Sequence, residues 1–222
     1  MQKNKKLFKE IEANQWFKRN IDAIENKDNN QVISLLINWL KPFKNEINKI
    51  LEVGCGTGHG LNQIATNLKA DGFGLEPSTD AVKYANNRFG SLNVQVGFGD
   101  AIPFKEEFDL VHLGFFLYLT DRKYYLKCIS EADRMLKFGG FLSIIDFETP
   151  YPYSNLYSHN ENILSHKHKN SDVFVASGLY TIVNKYQYSH ENFFFDKKID
   201  ARVSLTLLFK ETDIFRKIKK ND

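Results

Sequence analysis

The residues of greatest chemical interest form one run, Glu52-Val53-Gly54-Cys55-Gly56-Thr57-Gly58-His59-Gly60. Glycines at this density allow a tight turn and let a ligand approach backbone N–H groups. The spacing is GxGxG, and residue 59, where a dinucleotide fingerprint would carry its third glycine, is His59. An acidic residue beside the turn also suits a pyrophosphate poorly. Glu52 with backbone amides instead suits an amino-acid-bearing ligand, the carboxylate meeting an ammonium and the amides a carboxylate. Two further acids follow in comparable places. Glu76 precedes Pro77-Ser78, where a carboxylate can accept both hydroxyls of a ribose. Asp100 lies in Gly99-Asp100-Ala101-Ile102, where it can accept from an exocyclic amine with Ala101 and Ile102 against the ring.

These residues need a scaffold that brings strand ends together, and the hydrophobic pattern supplies one. Ile50–Gly54, Gly72–Glu76, Asn93–Gly97, Phe108–Leu113 and Phe141–Phe147 read as strands. Between them, helical stripes run through Leu61, Ile64, Ala65 and Leu68, through Ala81, Ala85 and Phe89, and through Tyr125, Cys128, Ile129, Ala132 and Met135. Ser78 and Asp121 or Thr120 are the expected N-caps, and Gly139-Gly140 is the expected end of the last helix. Upstream, helices are expected over 14–25 and from Val32 to Leu40. Strands alternating with helices predict an α/β fold, a doubly wound parallel sheet with ligands at the carboxyl ends of its strands. After Thr149 the pattern is lost. Residues 151–190 hold six of the ten tyrosines and four of the six histidines, and read as an insertion. Tyr180–Tyr188 and Val203–Phe209 read as an antiparallel hairpin at one sheet edge.

The 222 residues suffice for one full core with an appended element, and 42% apolar with 26% charged residues excludes a disordered chain. No apolar run approaches the ~18 residues of a membrane span, and no secretory signal follows the basic N-terminus. The two cysteines, Cys55 and Cys128, have no CxxC partner, so a disulfide scaffold and a zinc site are not expected and a reducing cytoplasm is. The net charge is +3, but without residues 1–9 and 216–222 the body keeps 22 of 30 basic and 26 of 27 acidic residues, a charge of −4. Nucleic acid and membrane partners are therefore not expected.

The set ILEVGCGTG, GLEPS, GDAIPF, FDLVHLG and RMLKFGGFLSIID resembles the class I S-adenosylmethionine-dependent methyltransferases over roughly residues 48–147. The resemblance implies a Rossmann-like seven-stranded sheet with an antiparallel C-terminal hairpin. It places Glu52, Gly54, Cys55 and Gly56 around the methionine moiety, Glu76 and Pro77 at the ribose, and Asp100 and Ala101 at the adenine. His112 and Gly114, ending the fourth strand, would lie beside the cofactor, S-adenosyl-L-methionine. The segment Glu12–Asn20, with Trp16 and Arg19, resembles a lid found over the cofactor in small-molecule and sugar-modifying members. The implied organisation is a single domain over 1–222. It comprises an N-terminal cap (1–45), a cofactor core (48–147), an acceptor-side insertion (148–178) and a C-terminal hairpin (179–210).

Methyl transfer from a sulfonium is an in-line displacement, in which the protein aligns the reactants and excludes water. A hydroxyl acceptor gains from a general base. The candidate bases are His112, Asp146, Glu148, His159, His166, His168 and His190, of which His166, His168 and Asp146 are favoured by their positions. Phe115, Phe116 and Tyr118 are candidates for the acceptor pocket. No metal is expected. The Asn/Asp-Pro-Pro-aromatic run of amino-methylating nucleic-acid enzymes is absent, the chain reading Leu113-Gly114-Phe115-Phe116 there. A small polar acceptor, a sugar or nucleotide-sugar, is expected, for a monomer or homodimer. The tract Ser165–Tyr186 resembles methyltransferases associated with bacterial surface-polysaccharide synthesis. Two alternatives stand beside this: a catalytically silent cofactor-binding subunit of a partner, and a nicotinamide-dependent oxidoreductase, against which the glycine spacing speaks.

Overall fold

Ile50, Leu51 and Val53 make strand β1 (Lys49–Val53) apolar on both faces, as in a strand covered by helices on both sides. Successive residues of β1 and of β4 (Phe108–Gly114) enter opposite cores. Ile50 and Leu110 join one, and Leu51, Val53, Val111 and Leu113 join the other. The computed structural model describes residues 12–25 and 30–212; the basic termini lie outside the described residues. In chain order the remaining elements are α1 (Ala13–Glu25), α2 (Gln31–Leu40), α3 (His59–Leu68), β2 (Asp71–Glu76), α4 (Thr79–Arg88), β3 (Leu92–Val96), α5 (Arg122–Met135), β5 (Leu136–Phe147), β6 (Tyr153–Tyr157), β7 (Asn160–Lys167), α6 (Asp172–Ala176), β8 (Tyr180–Ser189) and β9 (Arg202–Lys210). No helix among the described residues is long and apolar enough to cross a membrane.

Seven strands form one sheet in the order β3-β2-β1-β4-β5-β9-β8. The pairs from β3 to β5 are parallel, and β9 is antiparallel to both β5 and β8. The chain winds outward from β1 to β3, then returns to β4 on the other side of β1. A crevice therefore opens above the carboxyl ends of β1 and β4. Helices α2, α3 and α4 contribute to one core, and α5 and α6 to the other. Asn30 starts α2 by accepting from the N–H groups of Val32 and Ile33 at 3.0 and 3.3 Å. Asn30→Ala should therefore lower stability by about 1 kcal/mol, read as a shifted denaturant midpoint at unchanged slope.

Two expectations need correction. Helix α5 ends at Met135, four residues before the glycine pair, because Lys210 takes the carbonyls of Asp133 and Leu136 and Lys137 pairs with Asp109 at 2.6 Å. The register then jumps from Phe108↔Leu136 to Leu110↔Phe141, and Gly139 (φ +78°) absorbs the turn inside β5. The insertion is also more regular than its sequence suggests. Strands β6 and β7 form a separate antiparallel hairpin, and β7 buries Ile163, Ser165 and Lys167 alternately.

Candidate functional site

The glycine turn is built by left-handed backbone at Gly54, Gly56 and Gly58. Its amides do not wait for a ligand in the way the sequence suggests. Those of Gly54 and Cys55 donate to the Leu75 carbonyl at 2.8 and 3.3 Å, and that of Gly58 to the Cys55 carbonyl at 2.9 Å. The amide of Gly56 donates to Glu76 Oε2 at 3.0 Å, while Glu76 Oε1 accepts from the Ser78 N–H at 2.9 Å. Glu76 thus ties the turn after β1 to the turn after β2. Ser78 in turn caps α4 by accepting from the Ala81 N–H at 3.1 Å.

Glu52, Glu76 and Asp100 open onto one cavity of about 1000 Å³ above the sheet. Its wall also includes Gly54, Cys55, Gly56, Pro77, His112 and Gly114. A Cβ on Gly114 would stand 2.7 Å from Glu52 Oε1 and 3.2 Å from the Gly54 carbonyl oxygen, so a side chain there would displace the Glu52 carboxyl. Burial, reinforced by the charge of Glu76, pushes the Glu52 carboxyl up to about 8. Burial raises Glu76 to about 7 against the opposing pull of the Ser78 and Gly56 amides. His112, in register with Glu52 on the neighbouring strand, is held down to about 4 by burial, and its Nδ1 lies 3.1 Å from Ser143 Oγ. The 3.9 Å between His112 Nε2 and Glu52 Oε1 is therefore a contact of neutral groups near pH 7, not an ion pair. Glu52 Oε2 is buried with no hydrogen-bond partner among the described residues. A buried carboxyl with an open acceptor position at a cavity wall is a receptor for a cationic donor.

Helix α1 lies over this region. The Trp16 ring is so close to the glycine turn that a Cβ on Gly56 would stand 3.1 Å from it. Asn14 anchors the helix to α4 by accepting from Ser78 Oγ at 2.7 Å, and Tyr84 donates to Glu25 at 2.8 Å. The fully buried Glu12 joins α1 to the hairpin, accepting from Arg19 at 2.5 Å and from Asn160 at 3.3 Å.

Several expected site residues stand elsewhere. Arg19 faces Glu12 and not the cavity, and Ala101 is exposed, paired with Phe98 in an isolated bridge. Asp146, expected as a catalytic carboxylate, is 2% exposed and off the cavity wall. It accepts from the N–H groups of Phe147 at 2.7 Å and Tyr118 at 3.2 Å, so it fixes the loop after β4. His168 lines a separate pocket with Tyr125, Thr149 and Tyr151, its Nε2 3.0 Å from an Arg122 nitrogen. Glu148 is consumed by Lys185 at 2.8 Å and Ser204 at 3.2 Å. His166 does line the main cavity, with Nδ1 2.7 Å from Ser154 Oγ. The outer wall further comprises Phe115, Tyr118, Arg122, Ile163, Tyr188 and His190. Of these the sequence reading passes over Arg122, Ile163 and Tyr188. The period-two pattern of residues 160–167 was the available signal for Ile163.

Residues 50–140 match a family model described as a methyltransferase domain. This segment runs from β1 into β5 and carries the glycine turn and all three strand-end acids. No curated protein matches the sequence. Among solved structures, the N-methyltransferase NodS of Bradyrhizobium japonicum, crystallised with S-adenosyl-L-homocysteine, shares 16% identity at a TM-score of 0.61, over 89% of this chain and 98% of that one. CalS10 of Micromonospora echinaspora, an amino pentose methyltransferase with bound SAM, shares 13% identity at 0.61, over 87% and 96%. The Burkholderia thailandensis 1,6-didemethyltoxoflavin-N1-methyltransferase shares 12% identity at 0.66, over 88% and 84%. The likeness establishes the fold: the chain has the Rossmann-like seven-stranded sheet of these methyltransferases, with its antiparallel C-terminal strands.

Proposed function

We propose that this chain is an S-adenosylmethionine-dependent methyltransferase acting on an O or N atom of a small polar acceptor, sugar-like in character. The observation that carries this reading is the meeting of Glu52, Glu76 and Asp100 in one cavity, with a buried Glu52 oxygen that has no hydrogen-bond partner among the described residues. When bound, the cofactor supplies a methyl group activated by its sulfonium. Glu52 takes the ammonium of its amino-acid end, Glu76 its ribose hydroxyls, and Asp100 its adenine amine. Each carboxylate oxygen of Glu76 keeps an acceptor site beyond its amide bond. Trp16 closes the cavity and excludes water. Support for a sugar-like acceptor comes from the aromatic and imidazole groups of the outer wall, and from CalS10, whose substrate is an amino pentose. His166 is placed to hydrogen-bond such an acceptor. Two buried cysteines that form no disulfide with each other suit a cytoplasmic setting.

Calorimetry with S-adenosylhomocysteine tests the reading: saturable binding is expected, and none at millimolar ligand overturns it. Fluorescence adds a local check, because Trp16 and Trp39 are the only two tryptophans. Trp16 lines the cavity, whereas Trp39 packs against the core. The emission change on adding ligand should vanish in Trp16→Phe and survive in Trp39→Phe.

A further inference from the structure

Among the histidines, His190 has the most distinctive setting. It follows β8, lines the cavity, and is itself exposed. Its ring stacks on Phe115 with centroids 5.2 Å apart and planes 5° from parallel, and leans on Phe147 at 5.9 Å. Its main-chain N–H is tied to the Ala201 carbonyl at 2.7 Å, which fixes the backbone beneath the ring. Neither ring nitrogen has a hydrogen-bond partner among the described residues, whereas His166 has one nitrogen engaged by Ser154 and His168 one by Arg122.

The platform under His190 is itself unusual. Phe115 is one of two described non-glycine residues with positive φ (+55°), a conformation that costs free energy in a bulky residue. It is held there by its N–H bond to the Ile145 carbonyl at 2.9 Å and by ring packing on Tyr118 and Phe147. Phe115 directly follows Gly114, the residue pressed against Glu52. His190 thus stands one ring from the strand end that borders the glycine turn. His166 stands on β7, outside the main sheet.

We propose that His190 is a catalytic residue that accepts the proton of the acceptor during methyl transfer. This assignment rests on the methyltransferase reading above. The acceptor's oxygen or nitrogen forms a bond to the methyl carbon. The sulfur–methyl bond breaks with its electron pair remaining on sulfur as a thioether. The acceptor's proton passes to a ring nitrogen of His190. Partial desolvation of the ring against Phe115 and Phe147, and after it the charge of Lys167 on β7, lower the proton affinity of His190, while Glu191 on its own loop raises it. Lys167 is in turn paired with Asp200 at 2.7 Å. The imidazole is therefore neutral near pH 7, as a base must be.

The test compares two complexes of the full chain that differ by one charge near the reacting centre. The imidazole resonances of ¹³C-histidine-labelled protein are titrated with S-adenosylhomocysteine bound and with S-adenosylmethionine bound, His190→Gln providing the assignment. The sulfonium should lower the His190 pKa by about half a unit or more relative to the thioether complex. His190→Gln should bind S-adenosylhomocysteine like the parent and lose about 100-fold or more of tritium transfer into a metabolite extract. An equal His190 pKa in the two complexes, or the shift appearing on His166 instead, overturns the assignment. Failure of the parent protein to bind either ligand would sink the methyltransferase reading itself, a different and recognisable result.

Discussion

Glu76→Ala should cut affinity for S-adenosylhomocysteine by tenfold to more than a hundredfold, about 1.5–3 kcal/mol. Two losses combine. The variant removes charged acceptors for the ribose hydroxyls, and it leaves the Gly56 and Ser78 amides without the oxygens they now use at 3.0 and 2.9 Å. Glu76→Gln separates them. A glutamine keeps one oxygen and can hold one of the two amides, but it offers no anionic acceptor. Calorimetry on both variants, beside their melting curves, reads the two parts. If the ribose interaction dominates, Gln weakens binding nearly as much as Ala while melting close to the parent. If the turn dominates, Gln restores much of the binding. Undiminished affinity in Glu76→Ala would show that neither a ribose contact nor the amide bonds of Glu76 support binding.

That double role explains why part of the site was legible in the sequence and part was not. The GxGxG spacing, the strand before it and the helix after it are local, so the left-handed glycines and the start of α3 follow from nearest neighbours. The acids at successive strand ends are equally legible, because a parallel sheet must gather those ends at one rim. What the turn's amides bond to is a tertiary fact. Leu75 and Glu76 stand some twenty positions further on, and their claim on residues 54–56 depends on β2 lying beside β1. The same holds for Asp146. Its place at the end of β5 is readable, but its capture by the Tyr118 and Phe147 amides depends on how the loop after β4 folds back.

The acceptor side was hardest to read for a related reason. His166 and His168 are two residues apart yet line different pockets. Period-two geometry would put both on one face of β7, but β7 ends at Lys167, and Arg122 on α5 meets His168 beyond it. A histidine-rich tract therefore marks a region, and the packing of α5 and the hairpin decides which imidazole reaches the cavity. His190 and Phe115 are 75 positions apart, and no periodicity joins them; their stacking comes from β9 and β8 returning antiparallel beside β5.

The ligand-free protein should lose stability as pH rises, and ligand binding should remove part of that loss. Glu52 and Glu76 have folded-state pKa values raised from 4.5 to about 8 and about 7. For groups raised on folding, the associated stability is fully present below 4.5 and is lost as pH rises through the folded values. His112, held at about 4, has the opposite sign. Its contribution is lost as pH falls from about 6.5 through 4, so above pH 6.5 the buried carboxyls dominate, and Asp146, raised from 3.8 to about 7 by burial, adds to the two glutamates with the same sign. Between pH 6.5 and 9.5 the two glutamates together should cost about 3 kcal/mol, at about 1.4 kcal/mol for each tenfold gain of proton affinity. Urea midpoints at successive pH values measure this, and Glu52→Gln, which removes the largest single contribution, should flatten the profile by about half. The ammonium of the cofactor reverses the preference of Glu52, because a cation beside a buried carboxyl favours the charged form. Binding at pH 7 should therefore release close to one proton, seen as a calorimetric heat that depends on the buffer's ionisation enthalpy. Glu52→Gln should abolish the release. A buffer-independent heat in the parent protein would mean that the amino-acid end of the ligand does not meet Glu52. The unpartnered Oε2 would then need another explanation.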